Sequence, residues 1–236
     1  MQRPNFALQN LLLAALPPED LGLIAPHLAQ VELERGRLLY DPGDRIDTVF
    51  FPHDGVISLM TLMENGAAIE SATIGREGAL GLPAAVAPRA SLVRAIVQTP
   101  TRAVRISAAQ LHEAWEKSPR IRELVDRHGE ALFGHAIQSV ACNALHSVEA
   151  RFCRWLLTCH DRISTNTIAL TQEFLADMLG VQRTTVTAVA RALQEKGAIR
   201  YRRGVVDIID RPALEALTCE CYGVIRHTYE RLLPAG

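Results

Sequence analysis

Apolar positions along the 236-residue chain change their spacing several times. Near the N-terminus, Asn10 to Leu16 and Pro18 to Val31 each carry apolar residues at helical intervals, and "PPED" supplies proline and acids suited to a helix start. From about Gly36 to Ser107 the texture becomes β-rich. The runs "TVFFP", "GVISLMTLM", "AIESATI", "LVRAIVQT" and "RAVRIS" are separated by Gly, Pro, Asn and Asp. Asn65-Gly66 predicts a hairpin, because this pair tolerates the positive φ of a tight turn. Many short strands with glycine punctuation predict an antiparallel barrel or roll.

Near Ser107 the helical period returns. "EKSPRIRELVDRHGEALFGHAIQSVACNAL" predicts one long helix, with Ser118 as N-cap and Pro119 at the first helical position, where a missing N–H costs nothing. Its apolar residues Ile121, Leu124, Val125, Leu132, Phe133, Ala136, Ile137, Val140 and Leu145 occupy more than one face. Such a helix either has two partners, its own β unit and a second subunit, or is simply well buried within its own chain, and the first is expected. His146-Ser147 breaks the pattern and "VEARFCRWLLTCHDR" resumes it. "RPALEALTCECYGVIRHTYERLL" predicts a single closing helix with Pro212 near its start.

The stretch "ADMLGVQRTTVTAVARAL" places a glycine between two amphipathic segments. Thr171 caps the first, beside Gln172, and Gly180 supplies the left-handed backbone that ends it. Ala176 lets the two helices cross closely, and Val186, Val189 and Leu193 face inward. That is a helix-turn-helix. Gln182, Arg183, Thr184, Thr187, Ala188 and Arg191 then project from the half of the second helix that enters a DNA major groove. Arg183 is suited to guanine O6 and N7. Thr185, Thr187 and Arg191 are suited to phosphates, and Ala188 to a thymine methyl. "IRYRRGVVDII" predicts a wing turning at Arg203-Gly204, with Arg200, Arg202 and Arg203 at its tip.

Composition changes this picture only locally. The net charge is −1, with 48% hydrophobic and 22% charged residues, so an ordinary core is expected and any basic surface must be regional. Between Val181 and Val206, six basic residues face one acid, Glu195. The five cysteines are scattered and odd in number, which suits reduced thiols better than a disulfide frame. Cys219 and Cys221 are expected to diverge on a helix, and His128 and His135, seven apart on one helix, to be interfacial, so no metal, cofactor or catalytic set is assigned. "LLLAAL" is too short to span a bilayer, and a cytoplasmic protein is expected.

The order β-roll, long helix, winged helix-turn-helix resembles the Crp/Fnr family of bacterial transcription regulators. "YDPGDRIDTVFFPHDGVISLM" is similar to the family's early strands, "GALGLPAAVAPRASLVRA" to its phosphate-binding cassette, and "GVQRTTVTAVARAL" to its recognition helix. The resemblance implies an α+β fold: an antiparallel, jelly-roll-like β-roll at 1–117, a dimerisation helix at 118–145, and a winged helix-turn-helix with its C-terminal helix at 146–236. It implies double-stranded DNA as partner, a palindromic operator, a homodimer, RNA polymerase as a further partner, and no enzymatic activity or membrane association.

A small-molecule effector is also implied, at Gly78, Ala79, Leu80, Arg89, Ala90 and Ser91. Cyclic AMP is disfavoured. The family's cassette glutamate is replaced by Ala79, its serine position by Ala90, and its adenine-facing pair by Ala136 and Ile137. Arg89 is expected in a structural salt bridge. The recognition helix also departs from the best-known member, with Thr184 in place of the acidic base reader and Ala188 in place of a second arginine. Two other readings compete: a cupin-like metal-dependent enzyme, for which His53 stands alone as a ligand, and a cyclic-nucleotide sensor acting through protein partners.

Overall fold

The computed structural model describes residues 9–233. Asn10 opens it by capping α1 (Leu11–Ala14), its Oδ1 accepting the Leu12 and Leu13 N–H groups. The same side chain's amide donates to Pro52 and Gly78 carbonyls, so a buried asparagine ties the N-terminus to the β-roll. Helix α2 (Pro18–Ile24) starts at the predicted proline but stops well short of Val31. Ala25 to His27 tighten into a 3-10 turn, and Ala29–Leu33 instead form strand β1, paired with β7 (Thr101–Ser107). A strand ladder outweighs the helical spacing there.

Strands β2 (Leu38–Tyr40), β3 (Thr48–Pro52), β4 (Ile57–Leu62), β5 (Ala68–Ile74) and β6 (Arg94–Val97) complete the roll. They form two antiparallel sheets, β1-β7-β3 and β2-β6-β4-β5. The predicted hairpin joins β4 to β5, with Gly66 at φ 84° and the Ala67 N–H donating to Asn65 Oδ1. Between the sheets pack Leu33, Tyr40, Phe50, Ile57, Leu59 and Ile74.

Ser107 then caps α3 (Ala108–Lys117), a helix with no counterpart among the predicted elements, and Ser118 caps α4 (Pro119–Leu145) through the Ile121 N–H at 3.0 Å. One face of α4 enters the core with Ile121, Val125 and Ala131. Another face stays bare: Phe133, Ile137, Val140 and Leu145 are 68%, 54%, 72% and 79% exposed. Among the described residues, no helix is long and apolar enough to cross a membrane.

The chain breaks at His146 and re-enters helix as α5 (Val148–His160), capped by Ser147. There follow β8 (Thr167–Ala169), α6 (Gln172–Leu179), α7 (Arg183–Glu195), β9 (Ile199–Arg202) and β10 (Val205–Ile208), the strands forming a sheet ordered β8-β10-β9. The expected single closing helix is two, α8 (Arg211–Leu217) and α9 (Cys221–Leu232), with a bend at Thr218, where ψ reaches 164°. That bend overturns the expectation that Cys219 and Cys221 diverge: only Cys221 is helical, and the two thiols turn the same way. Helix α9 lies back along α4, where Ile225 and Tyr229 pack on Ala131.

Helix α5 docks the C-terminal unit onto the β-roll. Val56 and Met60 share one apolar core with Phe152, Trp155 and Leu156. Trp155 Nε1–H donates to Glu70 Oε1 at 3.0 Å, and the Arg162 guanidinium reaches Thr73 and Glu77. A Cβ on Gly75 would lie 2.3 Å from Arg162 Cδ, so only glycine admits that arginine. Burial pushes the Glu70 carboxyl from 4.5 up to about 7, against the opposing pull of Ser58, Arg154, Trp155 and Arg162.

A folded-state pKa above the unfolded value favours the folded state most at low pH. That advantage declines as pH rises from about 4.5 to about 7, leaving a penalty on the order of 3 kcal/mol above it. Urea unfolding of Glu70→Gln is therefore expected to match the parent near pH 4, below the unfolded value, and to exceed it in stability at pH 8. Equal stability at pH 8, or a loss there, contradicts this assignment.

Candidate nucleic-acid interface

The interface is set by how α6 ends and α7 begins. Thr171 has an extended backbone and its hydroxyl accepts the Phe174 N–H at 3.2 Å, which starts α6. Gly180 stops it with φ 62° and ψ 41°, returning its N–H to the Ala176 and Asp177 carbonyls. A Cβ at Gly180 would meet Ile69 Cδ1 at 2.8 Å, so the turn also needs glycine because β5 approaches it. Arg151 of α5 fastens the same corner, donating from Nη1 to the Leu179 carbonyl at 2.9 Å and to Asn143 Oδ1 at 3.2 Å. The angle of α7 is thereby tied to both α4 and the β-roll.

Gln182 occupies the N-cap of α7 but its side chain makes no cap hydrogen bond, and the Thr185 N–H returns to the Gln182 carbonyl at 3.0 Å. Val186, Ala190 and Leu193 form the buried face. Val189 is half-buried and packs against the same core, beside the fully buried Ala190. On the other side Gln182, Arg183, Thr184, Thr187, Ala188 and Arg191 are all exposed, and Thr185 lies at the edge. Gln172 Oε1 sits 3.5 Å from Arg183 Nε and 3.0 Å from the Thr187 hydroxyl, which orders Arg183 without burying it.

The wing turns at the two residues predicted. Arg203 and Gly204 both take positive φ, 48° and 76°, the geometry of a two-residue hairpin loop. Arg200 does not reach this tip: its backbone lies opposite that of Asp207 lower in the strand ladder, while Arg202 stands beside the turn. Between α7 and the wing lies a cleft of about 380 Å³ lined by Thr171, Gln172, Glu173, Arg183, Tyr201 and Arg203.

Two of the six basic residues are already engaged. Arg191 pairs with Glu195 at 3.0 Å and Lys196 with Glu149 at 2.6 Å. Among the described residues, Arg183, Arg200, Arg202 and Arg203 pair with no carboxylate, so they carry the positive field. One contributor has no counterpart among the predicted site residues. Burial raises the Tyr201 hydroxyl pKa while the charges of Arg183 and Arg35 oppose it, so Arg35, in the turn after β1, adds its charge beside the wing. Its signal was the pair Arg35 and Arg37 in "ERGR", a β-roll turn far away in sequence.

The cassette residues divide between buried and exposed positions. Ala79 and Leu80 are buried; the Ala79 N–H donates to His128 Nε2 of α4 at 3.1 Å, and Leu80 bridges to Phe50. A Cβ on Gly78 would sit 3.1 Å from the same imidazole. Arg89 and Ala90 are exposed, and the Ser91 hydroxyl donates to the Val93 carbonyl at 2.7 Å. Among the described residues, Arg89 has no carboxylate within ion-pairing distance, so the expected salt bridge is not formed. Burial holds His128 down at about 4 and His135 well below its ordinary value. Both are neutral packing groups, His135 lying edge-on to Tyr229.

Comparison with known proteins agrees with this geometry. Residues 30–118 match the profile of the cyclic nucleotide-binding domain, and residues 150–217 that of the Crp-like helix-turn-helix domain. The chain is 22% identical over 185 residues to the global nitrogen regulator of Nostoc sp., covering 74% of this chain and 82% of that protein. The structure of FixK2 from Bradyrhizobium japonicum superposes with a TM-score of 0.69 at 16% identity, over 81% of this chain and 98% of that one. A CRP/FNR-family transcriptional regulator from Thermus thermophilus gives 0.64 at 20% identity, over 80% and 97%.

The Gly180 turn is directly testable. Gly180→Ala forces a side chain into left-handed backbone, and is expected to lower unfolding free energy by about 1–2 kcal/mol in urea titration. An unchanged midpoint contradicts the turn geometry.

Proposed function

The chain belongs to the Crp/Fnr family of DNA-binding transcription regulators, and we propose that it acts as a homodimer on a two-fold-symmetric operator. The observation that carries this is the exposed, uncapped N-terminal half of α7, flanked by a wing with unpaired arginines. Arg183 reads a guanine from the major groove, Gln182, Thr184 and Ala188 line neighbouring base edges, and Thr171, Gln172, Thr185, Thr187 and Arg191 lie against phosphates. The wing, through Arg202 and Arg203 with Arg200 behind them, follows the adjacent backbone.

Dimerisation is assigned to the bare face of α4. Phe133, Ile137, Val140 and Ala144 recur at intervals of four, three and four residues, the spacing of a two-helix seam. In this reading residues 1–117 form the sensor, 118–145 the dimerisation helix and 146–236 the DNA-binding domain. Two recognition helices would then insert about 34 Å apart, one turn of DNA. The effector is taken to be something other than cyclic AMP. Ala79 supplies no carboxylate, its N–H is committed to His128, and the Ser91 hydroxyl to Val93.

Sequencing of genomic fragments retained by the purified protein at moderate salt is expected to yield one inverted-repeat motif. Arg183→Ala should erase preference at one base pair per half-site, at about 1–3 kcal/mol, whereas Arg203→Ala should weaken all sequences alike and flatten the salt dependence. Retention without sequence preference contradicts the proposal. Ile137→Asp is expected to convert the dimer to a folded monomer in sedimentation, and a persistent dimer contradicts the seam.

A further inference from the structure

The bend before α9 gathers four metal-ligating side chains that the DNA-binding reading leaves without a role. Cys142 lies in the last turn of α4 and His146 is the helix's C-cap, with extended backbone. Cys219 lies in the bend and Cys221 at the first position of α9. The four donor atoms all lie within 4.8 Å of one another. Cys142 Sγ is 3.6 Å from Cys219 Sγ, and Cys221 Sγ is 3.5 Å from His146 Nδ1. All three cysteines are buried and unbridged.

Those spacings match a coordination polyhedron. A tetrahedral ion with metal–sulfur bonds of about 2.3 Å and a metal–nitrogen bond of about 2.0 Å sets its ligand atoms roughly 3.5–3.8 Å apart. The surroundings match as well. His146 Nε2 faces Glu220 Oε2 at 3.2 Å, so the carboxylate takes the ring's other N–H and leaves the Nδ1 lone pair toward the sulfurs. Gln138 Nε2–H donates to Cys221 Sγ at 3.0 Å, as an amide does to a thiolate. Apolar packing explains buried cysteines but not an imidazole held edge-on to them by a carboxylate.

We propose that Cys142, His146, Cys219 and Cys221 form a Cys3His site for a single zinc-type divalent ion. Two ligands come from the end of α4, where the chain turns into the DNA-binding unit, and two from the start of α9. A bound ion therefore clamps the C-terminal helix to the hinge. Deprotonated thiols bind and their protons pass to solvent, with no redox step. The inference stands apart from the DNA-binding reading, because its test uses no DNA.

Untagged full-length protein, purified without chelator, is expected to carry about one zinc per chain by elemental analysis. After chelation, cobalt(II) titration should give the intense visible bands of a tetrahedral thiolate site, saturating at about one equivalent. Cys142→Ser and Cys219→Ser should lose both signals, with circular dichroism reporting whether each variant folds. The wild-type cobalt titration stands even where a variant does not fold. Metal removal should raise amide exchange across residues 218–232 at least tenfold.

Three results overturn the site: no tetrahedral cobalt spectrum with reduced wild-type protein; a mass two hydrogens light, from a Cys142–Cys219 disulfide, with no bound metal; or iron retained with acid-labile sulfide. Unchanged exchange in α9 overturns the clamp.

Discussion

Everything that the C-terminal unit presents to solvent is oriented by the seating of α5 on the β-roll. Trp155 is buried in the apolar core that the β-roll and the C-terminal unit share, and its indole N–H is answered by a carboxyl group that has itself been taken out of water. Arg162 fills the space that Gly75 leaves by lacking a side chain. Buried polar pairs of this kind add little net stability compared with apolar packing, but leaving either partner unmatched is costly. They therefore fix one arrangement rather than merely favouring compactness. Arg151 carries the constraint onward to the α6 corner, and Gly180 converts it into the angle of the recognition helix.

This coupling gives a physical route from the β-roll to α7. The β5 strand supplies Glu70 to Trp155 and Ile69 to the Gly180 turn, and its C-terminal end leads into Gly78 and Ala79. A change in the β-roll that shifts β5 necessarily acts on both docking points. The long helix is held at its start by the β-roll core, midway by His128 against the Ala79 N–H, and along its later half by α9. Two states of the molecule would differ at these contacts, and an effector acts only to the extent that it distinguishes them.

Much of the fold was legible in the sequence because its signals were local. Ser118-Pro119, Asn65-Gly66, Thr171 and Gly180 each specify a backbone conformation within a few residues, and each appears where its chemistry places it. The exposed polar face of α7 and the hairpin with its arginines were legible for the same reason. The failures were non-local or concerned what interrupts a pattern. Residues 29–31 have helical spacing but are claimed by a strand seventy residues away. Residues 211–232 keep their period across a bend that only the packing of α9 on α4 reveals. Cys142 and Cys219 are 77 residues apart, so their meeting has no sequence signature. Arg35 and the docking of Trp155 on Glu70 were invisible for that reason too.

On the proposed reading, the segment after Gly180 enters the major groove with Arg183 at a guanine. Dimethyl sulfate protection on a selected operator reads this at the atom concerned, guanine N7. One protected guanine is expected in each half-site, the two about one helical turn apart, with protection lost in the Arg183→Ala complex. Free methylation of every guanine in the bound operator would contradict it.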